Sequence, residues 1–150
     1  YSDPMDRSKR YLPYVVESAV GVGRTVLAVL ADAYHEEDME GEQRVVMRLS
    51  PRLAPLKVAV LPLVKKDGMP EMAEAIQKGF RRAGVNSFFD DTGSIGKRYR
   101  RLDEAGTPFA ITVDGLSTQD QTVTVRDRDT LLQERVAVEG IVEYIRTRVT

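Results

Sequence analysis

The sequence predicts an α/β fold in which a mixed β-sheet packs against helices, and three observations support this prediction. After residue 55, short apolar runs alternate with longer amphipathic stretches in the order β-α-β-α-β-β-β-α. The last two of these strands alternate polar and apolar residues and are expected to pair as a hairpin. A chain of 150 residues with 42% hydrophobic residues also has enough apolar material for a packed core.

Proline and glycine mark the ends of the predicted helices in this region. Pro70 fits the first position of a helix, and Gly84 fits the position just past its end. Gly106 and Pro108 end a second helix. The run at 58–61 is apolar throughout, which is typical of a strand covered on both faces. The other predicted strands are 85–89, 109–113, 121–126 and 135–138, and the predicted helices are 70–83, 94–105 and 139–148.

The first part of the chain predicts a strand–turn–helix unit that precedes this sheet. Leu12–Val16 is a short apolar stretch expected to form a strand, and Gly21 and Gly23 form a tight turn after it. The segment 24–34 is rich in Ala, Leu and Val, which predicts a helix buried on most sides. Free N–H groups and the positive helix end at the glycines favour an anion.

A domain boundary is predicted where two prolines make a stiff connector. The segment 36–42 is strongly acidic and is expected to be a solvated loop, followed by a strand at 44–49. Pro51 and Pro55 come next, and the strand–helix alternation begins after them. We therefore expect one domain at 1–50 and a second at 51–150.

Composition excludes several classes of site. There are no cysteines and one histidine, His35, so neither a disulfide framework nor a zinc site is expected, and no metal site is predicted. No apolar run approaches the ~18 residues of a membrane span. The formal net charge is −1, but residues 51–106 carry eleven Lys/Arg against seven Asp/Glu, so the middle of the chain is locally basic.

Three groups of residues are candidates for binding. Gly21 and Gly23 alone favour a plain helix entry with two small residues, but Glu17 and Arg24 beside them could hold an ammonium and a phosphate around one turn. A predicted helix carries four cations within five positions, which suits a phosphate-tracking face, or else a solvent-facing helix with local ion pairs. These cations are Lys97, Arg98, Arg100 and Arg101, with Tyr99 among them as either a core residue or a base-stacking one.

The third group lies on one predicted strand. Thr122, Thr124, Arg126 and Arg128 share one face, which is a hydrogen-bonding surface suited to the splayed bases of single-stranded nucleic acid. Half-buried ion pairing of the arginines with Asp127 or Asp129 is the competing interpretation.

The residues as a set resemble a known family. Pro13-Tyr14-Val15-Val16-Glu17 followed by Gly21-Val22-Gly23-Arg24 resembles motif 3 of class II aminoacyl-tRNA synthetases. Further similar strings are Leu53-Ala54-Pro55, Val58 to Leu63, Asp90 to Phe109 with Gly96-Lys97-Arg98-Tyr99-Arg100-Arg101 at its centre, and Thr122 to Asp129. Together they are similar to the C-terminal part of homodimeric-type glycyl-tRNA synthetases, over about residues 11–149.

The resemblance implies roles for the candidate residues. Arg24, with Gly21 and Gly23, would hold ATP, and Glu17 would bind the ammonium of glycine. Residues from about 55 onward would bind the anticodon of tRNA(Gly), with Arg126 on a strand that faces the bases. The implied tRNA contacts are Lys97, Arg98, Arg100, Arg101, Arg126 and Arg128.

The resemblance also implies a larger enzyme than these 150 residues. It would be a cytoplasmic homodimer that uses ATP with Mg²⁺, and the rest of the synthetase chain would supply motifs 1 and 2. Because these motifs are not in this sequence, we expect the segment alone to be inactive and to need no cofactor. The family's Glu-Pro-Ser is Glu17-Ser18-Ala19 here, so the serine contact at position 19 is replaced.

Two other functions remain open from the sequence. One is a non-catalytic nucleic-acid-binding accessory subunit with the same architecture, such as that of mitochondrial DNA polymerase. The other is a dimerisation or regulatory module with no nucleic-acid ligand. The presence of both Glu17 and Arg24 favours the ligase.

Overall fold

A computed structural model of the chain describes residues 1–39 and 41–150, and it confirms the predicted α/β class. One sheet contains β3 (Val58–Pro62), β4 (Ser87–Phe89), β5 (Phe109–Val113), β6 (Thr122–Asp127) and β7 (Gln133–Ala137). A separate hairpin contains β1 (Tyr34–Met39) and β2 (Glu42–Met47). The helices are α1 (Val22–Ala33), α2 (Met69–Arg82), α3 (Ile95–Glu104), α4 (Ser117–Asp120) and α5 (Ile141–Val149).

The five-stranded sheet is mixed, in the order β4-β3-β5-β6-β7. β3 pairs in parallel with β4 and β5, and the connections between these strands carry α2 and α3. β6 pairs antiparallel with β5 and β7, so the predicted hairpin is confirmed. Every residue of β3 and β5 is buried, which explains why both strands are apolar along almost their whole length.

The two faces of the sheet are covered differently. On one face, Phe80 of α2 and Ile145 of α5 are fully buried in the main core with the inward residues of β3, β5 and β6. On the other face, Leu102 of α3 packs on Ala59 and Ala110, which belong to β3 and β5. The apolar contacts of α3 therefore involve the centre of the sheet, and polar residues of β6 and β7 border α3 from the side.

The β1–β2 hairpin replaces the acidic loop predicted at 36–42. Glu37 lies opposite Arg44 across the antiparallel pair, and Gly41 at the turn has a φ of 89°. Acidic residues have low strand propensity, which is why the sequence indicated a loop. Glu40, part of the predicted loop, lies outside the described residues.

Of the predicted strand–turn–helix unit at the N-terminus, the structure contains the helix but not the strand, and the helix is mostly exposed. Residues 12–16 form no strand, and their side chains are exposed. α1 begins at Val22, close to the predicted position, but Leu27 is 68% and Leu30 is 45% exposed, and Ala33 is its buried residue. The prediction of a helix buried on most sides is therefore wrong in this structure, because no element of the described chain covers most of its apolar face.

Candidate nucleic-acid interface

α3 divides its four cations between the interior and the surface, because successive helical residues point about 100° apart. Arg98 is 2% exposed, whereas Lys97 and Arg101 are exposed and Arg100 is half-exposed. The four cations therefore do not share one phosphate-tracking face. Three of them remain available on the surface, and one is part of the folded interior.

Arg98 joins the carboxyl ends of two strands. Its Nη1 donates to the Pro62 carbonyl at 2.6 Å and to the Asp90 carbonyl at 3.1 Å, and its Nη2 donates to the Leu63 carbonyl at 3.1 Å. Pro62 is the last residue of β3, and Leu63 and Asp90 directly follow β3 and β4. One guanidinium therefore satisfies backbone acceptors at the ends of both strands. The prediction that Arg98 faces RNA phosphates is wrong in this structure, because its Nη groups bind carbonyls inside the protein.

Arg126 is likewise turned inward and does not form an open base-binding surface. It lies on the predicted face of β6, but α3 covers that part of the face. Its Nη atoms donate to both carboxylate oxygens of Asp103, at 2.8 and 2.9 Å, and both residues are buried. The guanidinium carbon lies 4.7 Å from the centroid of the Tyr99 ring, which is within cation–π range.

Arg128 is also a structural residue, contrary to its predicted contact with RNA. It is 2% exposed and donates to the carbonyls of Gly106 and Leu49, each at 2.8 Å. It also forms a two-point ion pair with Asp129. The competing interpretation from the sequence, ion pairing with Asp129, is therefore what the structure shows for this residue.

Two of the surface cations of α3 lie towards the β1–β2 hairpin or solvent. Lys97 has no side-chain hydrogen bond or ion pair within residues 1–39 and 41–150. Arg100 forms an exposed ion pair with Glu42 and donates to the Gln43 carbonyl at 3.0 Å. Exposed pairs of this kind are worth little, so a phosphate could displace Glu42 at small cost.

Arg101 reaches back to the end of β4. It donates to the Asp90 carboxylate and to the Thr92 carbonyl, both at 2.6 Å. Burial of Asp90 opposes its ionisation, but the hydrogen bonds from Arg101 and from the Thr92 N–H outweigh burial and hold the pKa of Asp90 below its ordinary value. Half of the Arg101 side chain is still exposed.

A groove lies between α3 and strands β6 and β7, and we call it the α3 groove. It contains one cavity of about 290 Å³ and one of about 160 Å³, and Tyr99 lines both. The Tyr99 hydroxyl is 2.6 Å from Thr112 Oγ1, and Arg126 packs over one face of the ring, so these two contacts fix the orientation of the ring. The larger cavity is lined by Thr112, Asp114, Thr124 and Gln133 among others, and the smaller by Arg44, Arg100, Asp103 and Arg126 among others.

An ion pair lies at the rim of the larger cavity. Arg135 of β7 binds Asp114 and also donates to the hydroxyls of Thr122, at 2.8 Å, and Thr124, at 3.2 Å. Burial of Asp114 raises its pKa, but the hydrogen bonds from Arg135 and from the Ser117 N–H and hydroxyl lower it by more than burial raises it. The pKa of Asp114 therefore lies below its ordinary value. The sequence did not point to Asp114 and Arg135, because they are 21 positions apart and come together only through the pairing of β5 with β6 and of β6 with β7.

A larger cavity, of about 560 Å³, lies on the opposite face between β6, β7 and α5. Asp127 and Glu134 line it, and its arginine, Arg148, is stacked on Tyr144 at 3.6 Å. Two carboxylates disfavour a phosphate backbone at this place. The α3 groove also contains two carboxylates, Asp103 and Asp114, but each is paired with an arginine, and the surface cation Arg100 lines the groove beside them. The α3 groove is therefore the better site for nucleic acid.

The residues predicted to contact ATP and glycine lie around the start of α1. Gly21 precedes the helix, Gly23 and Arg24 are in its first turn, and no acidic side chain occupies that turn. Glu17 and Arg24 are exposed, and neither side chain has a hydrogen bond or ion pair within the part of the chain described. A Cβ at Gly21 would lie 3.9 Å from the Arg24 side chain, which folds back over the turn.

The described residues contain no helix long and apolar enough to cross a bilayer. Nor do they contain a group of three or more His, Asp or Glu side chains placed to hold a metal ion.

Comparison with known proteins identifies the domain that carries the α3 groove. A family model described as the anticodon binding domain, of the HGTP type, matches residues 57–148, which include the whole five-stranded sheet. The chain belongs to this family. A solved RNA-binding domain of threonyl-tRNA synthetase from Cryptosporidium parvum has the same fold, with a TM-score of 0.61 and 21% identity over 67% of this chain and 25% of that one.

Curated relatives match nearly the whole chain of this anticodon-binding family member. Glycine–tRNA ligase from Borrelia hermsii is 50% identical over 93% of the chain, and that from Rhodopirellula baltica is 50% identical over 99%. The ligase from Methanothrix thermoacetophila is 49% identical over 93%. The chain spans 32%, 28% and 24% of the lengths of these relatives. These matches confirm the resemblance to glycyl-tRNA synthetases seen in the sequence.

Proposed function

We propose that this chain is the C-terminal portion of a glycine–tRNA ligase and that its α3 groove binds unpaired bases of the tRNA(Gly) anticodon loop. The observation that carries the proposal is the position of Tyr99. Its ring lines both cavities of the groove, and Arg100 of the same helix lines the smaller one. Identity of about one half with glycine–tRNA ligases supports the choice of tRNA.

The groove has the chemistry that single-stranded RNA needs. Splayed bases bind by stacking on aromatic side chains and by hydrogen bonds to their exposed edges. Tyr99 offers an aromatic ring, and Thr124, Gln133 and the Asp114–Arg135 pair offer donors and acceptors beside it. The surface cations Lys97, Arg100 and Arg101 would contact backbone phosphates, and in this account they replace the buried Arg98, Arg126 and Arg128 as the contacts with RNA.

The N-terminal segment fits a second role in the same enzyme. We assign residues 1–50 to the end of a class II catalytic domain and 51–150 to the anticodon-binding domain. The exposed apolar face of α1 would pack against the rest of that catalytic domain, in a cytoplasmic homodimer. Arg24 at the first turn of α1 would contact ATP, bound with Mg²⁺, and Glu17 would contact the ammonium of glycine. ATP would supply the group that activates glycine. The 150 residues alone are expected to be inactive.

The accessory-subunit alternative is less well supported. The curated relatives named above are ligases, and the chain keeps the charged pair Glu17 and Arg24 at the predicted substrate turn. No feature of the groove favours a duplex, because a recess with a single aromatic ring suits one unpaired base at a time.

Replacing Tyr99 with leucine is expected to weaken binding of the tRNA(Gly) anticodon stem–loop about 5-fold to 150-fold, since stacking contributes ~1–3 kcal/mol per base. Fluorescence anisotropy with a labelled stem–loop measures this effect. Tyr99→Phe keeps the ring and is expected to bind within a few-fold of the wild type. Phe88→Leu is the matched control, because Phe88 is an aromatic residue, 44% exposed, on β4 outside the groove.

Equal binding by Tyr99→Leu and Phe88→Leu would contradict the proposed site. Wild-type binding that is insensitive to the anticodon bases would contradict anticodon recognition itself.

A further inference from the structure

We propose that the β1–β2 hairpin, which lies outside the matched residues 57–148, completes the RNA site, and that Arg44 on this hairpin is a positioning residue for Tyr99. The inference rests on the proposed function. It is independent of the roles assigned to Arg24 and Glu17, and its evidence lies in the contacts between the hairpin and α3.

Arg44 is a buried cation that binds three separate parts of the molecule. Its Nε donates to Asp103 Oδ2 at 2.9 Å, its Nη1 to Glu37 at 2.6 Å, and its Nη2 to the Arg128 carbonyl at 2.7 Å. The Arg44 side chain is 6% exposed, so it contacts little solvent. Only the planar fork of arginine reaches these three acceptors at once, and a lysine could not.

Asp103 transmits the position of Arg44 to the groove. Its carboxylate accepts from Arg44 on one side and from both Nη atoms of Arg126 on the other. Arg126 then lies over the Tyr99 ring. The chain Arg44–Asp103–Arg126–Tyr99 is unbroken, and each member fixes the orientation of the next. Without Arg44, the Asp103 carboxylate and the Arg126 plane lose their fixed angle to the ring.

The β1–β2 hairpin packs closely against α3 and the residues that follow it, so it can form one side of the RNA site. Gly106 follows α3 with a φ of 74° and packs against Met47, the last residue of β2, and Leu49, which follows that strand. A Cβ at position 106 would be 2.9 Å from Leu49 Cδ1 and 3.1 Å from the Met47 carbonyl oxygen. Arg100 adds a hydrogen bond to the Gln43 carbonyl of the hairpin. The backbone at Gly106 therefore lies against the end of β2, and a shift of the hairpin would disturb its packing beside α3.

The smaller cavity of the α3 groove shows where the hairpin meets the RNA site. Arg44 lines it from the hairpin, Arg100 and Tyr99 from α3, and Leu131 from the β6–β7 turn. The family-matched residues alone would leave this cavity open on the side that Arg44 closes. If one nucleotide stacks on Tyr99, the next nucleotide along the RNA would therefore contact the hairpin.

The test measures anticodon stem–loop affinity in a double-mutant cycle of the 150-residue chain. Arg44→Gln is expected to weaken binding about tenfold, and its effect should disappear when Tyr99 is already leucine, because coupled residues are not additive. Arg48→Gln is the matched control. Arg48 also pairs with Glu37, but it does not contact Asp103, and this variant should bind like the wild type.

Additive effects of Arg44→Gln and Tyr99→Leu would overturn the inference, as would equal binding by Arg44→Gln and Arg48→Gln. Should Arg44→Gln unfold, Arg44→Lys carries the same cycle, with the same two outcomes. With either of these two results, the wild type still binds the stem–loop and Tyr99→Leu still weakens that binding, so the proposed function stands. Failure of the wild type to bind overturns both.

Discussion

Asp103→Ala is expected to lower the free energy of unfolding by about 3–5 kcal/mol, which is the cost of leaving a buried charge, here that of Arg126, without its counter-ion. Asp103 is 2% exposed and binds Arg44 and Arg126, both themselves buried. Removal of its carboxylate leaves two guanidinium groups close together in the interior. Denaturant unfolding followed by circular dichroism measures the change as a lower midpoint at unchanged slope.

The control for Asp103→Ala lies one residue further along α3. Glu104 is exposed and has no ion pair in the described residues, so Glu104→Ala should stay within about 0.5 kcal/mol of the wild type. Equal stability of the two variants would show that the buried network does not hold the hairpin to α3.

Arg98→Met is expected to cost about 3 kcal/mol of unfolding free energy, because it removes the donors to three carbonyls at the strand ends, and buried unsatisfied acceptors cost ~1–3 kcal/mol each. Methionine keeps much of the buried side-chain volume, so loss of packing contributes little. The same denaturant titration measures the change, and the RNA affinity of the folded protein is expected to stay close to that of the wild type.

Lys97→Met is the matched control for Arg98→Met, with the opposite pattern. Lys97 is exposed, so stability should not change, but RNA binding should weaken and the slope of log K against log salt should become shallower by about 0.7. A stable Arg98→Met protein with weakened RNA binding would restore the role that the sequence alone suggested for Arg98.

Much of the sheet could be predicted because its signals are local. The apolar run at 58–61 and the alternation in the last two strands depend on neighbouring residues, and Pro70 and Gly84 mark helix ends wherever the helix lies. α4 was missed because four residues are too few for a periodic pattern. α1 was predicted as a helix, but periodicity shows that a face is apolar and not which element covers it.

The roles of the arginines could not be predicted because their partners are distant in sequence. Arg44 is 59 positions from Asp103, and Arg126 is 23 positions from it. The acceptors of Arg98 include backbone carbonyls 35 and 36 positions away, which leave no trace in residue types. The sequence interpretation of the α3 cations was a phosphate-tracking or solvent-facing helix, whereas the fold supplies interior carbonyl acceptors for Arg98.

Hydrogen exchange of the 150-residue chain, with and without the tRNA(Gly) anticodon stem–loop, tests the central claim most directly. We expect slower exchange in peptides covering α3 and β7, which border the α3 groove, and unchanged exchange in α2 on the opposite face of the sheet. Protection centred on α5 and the cavity at Tyr144, with none at α3, would contradict the account.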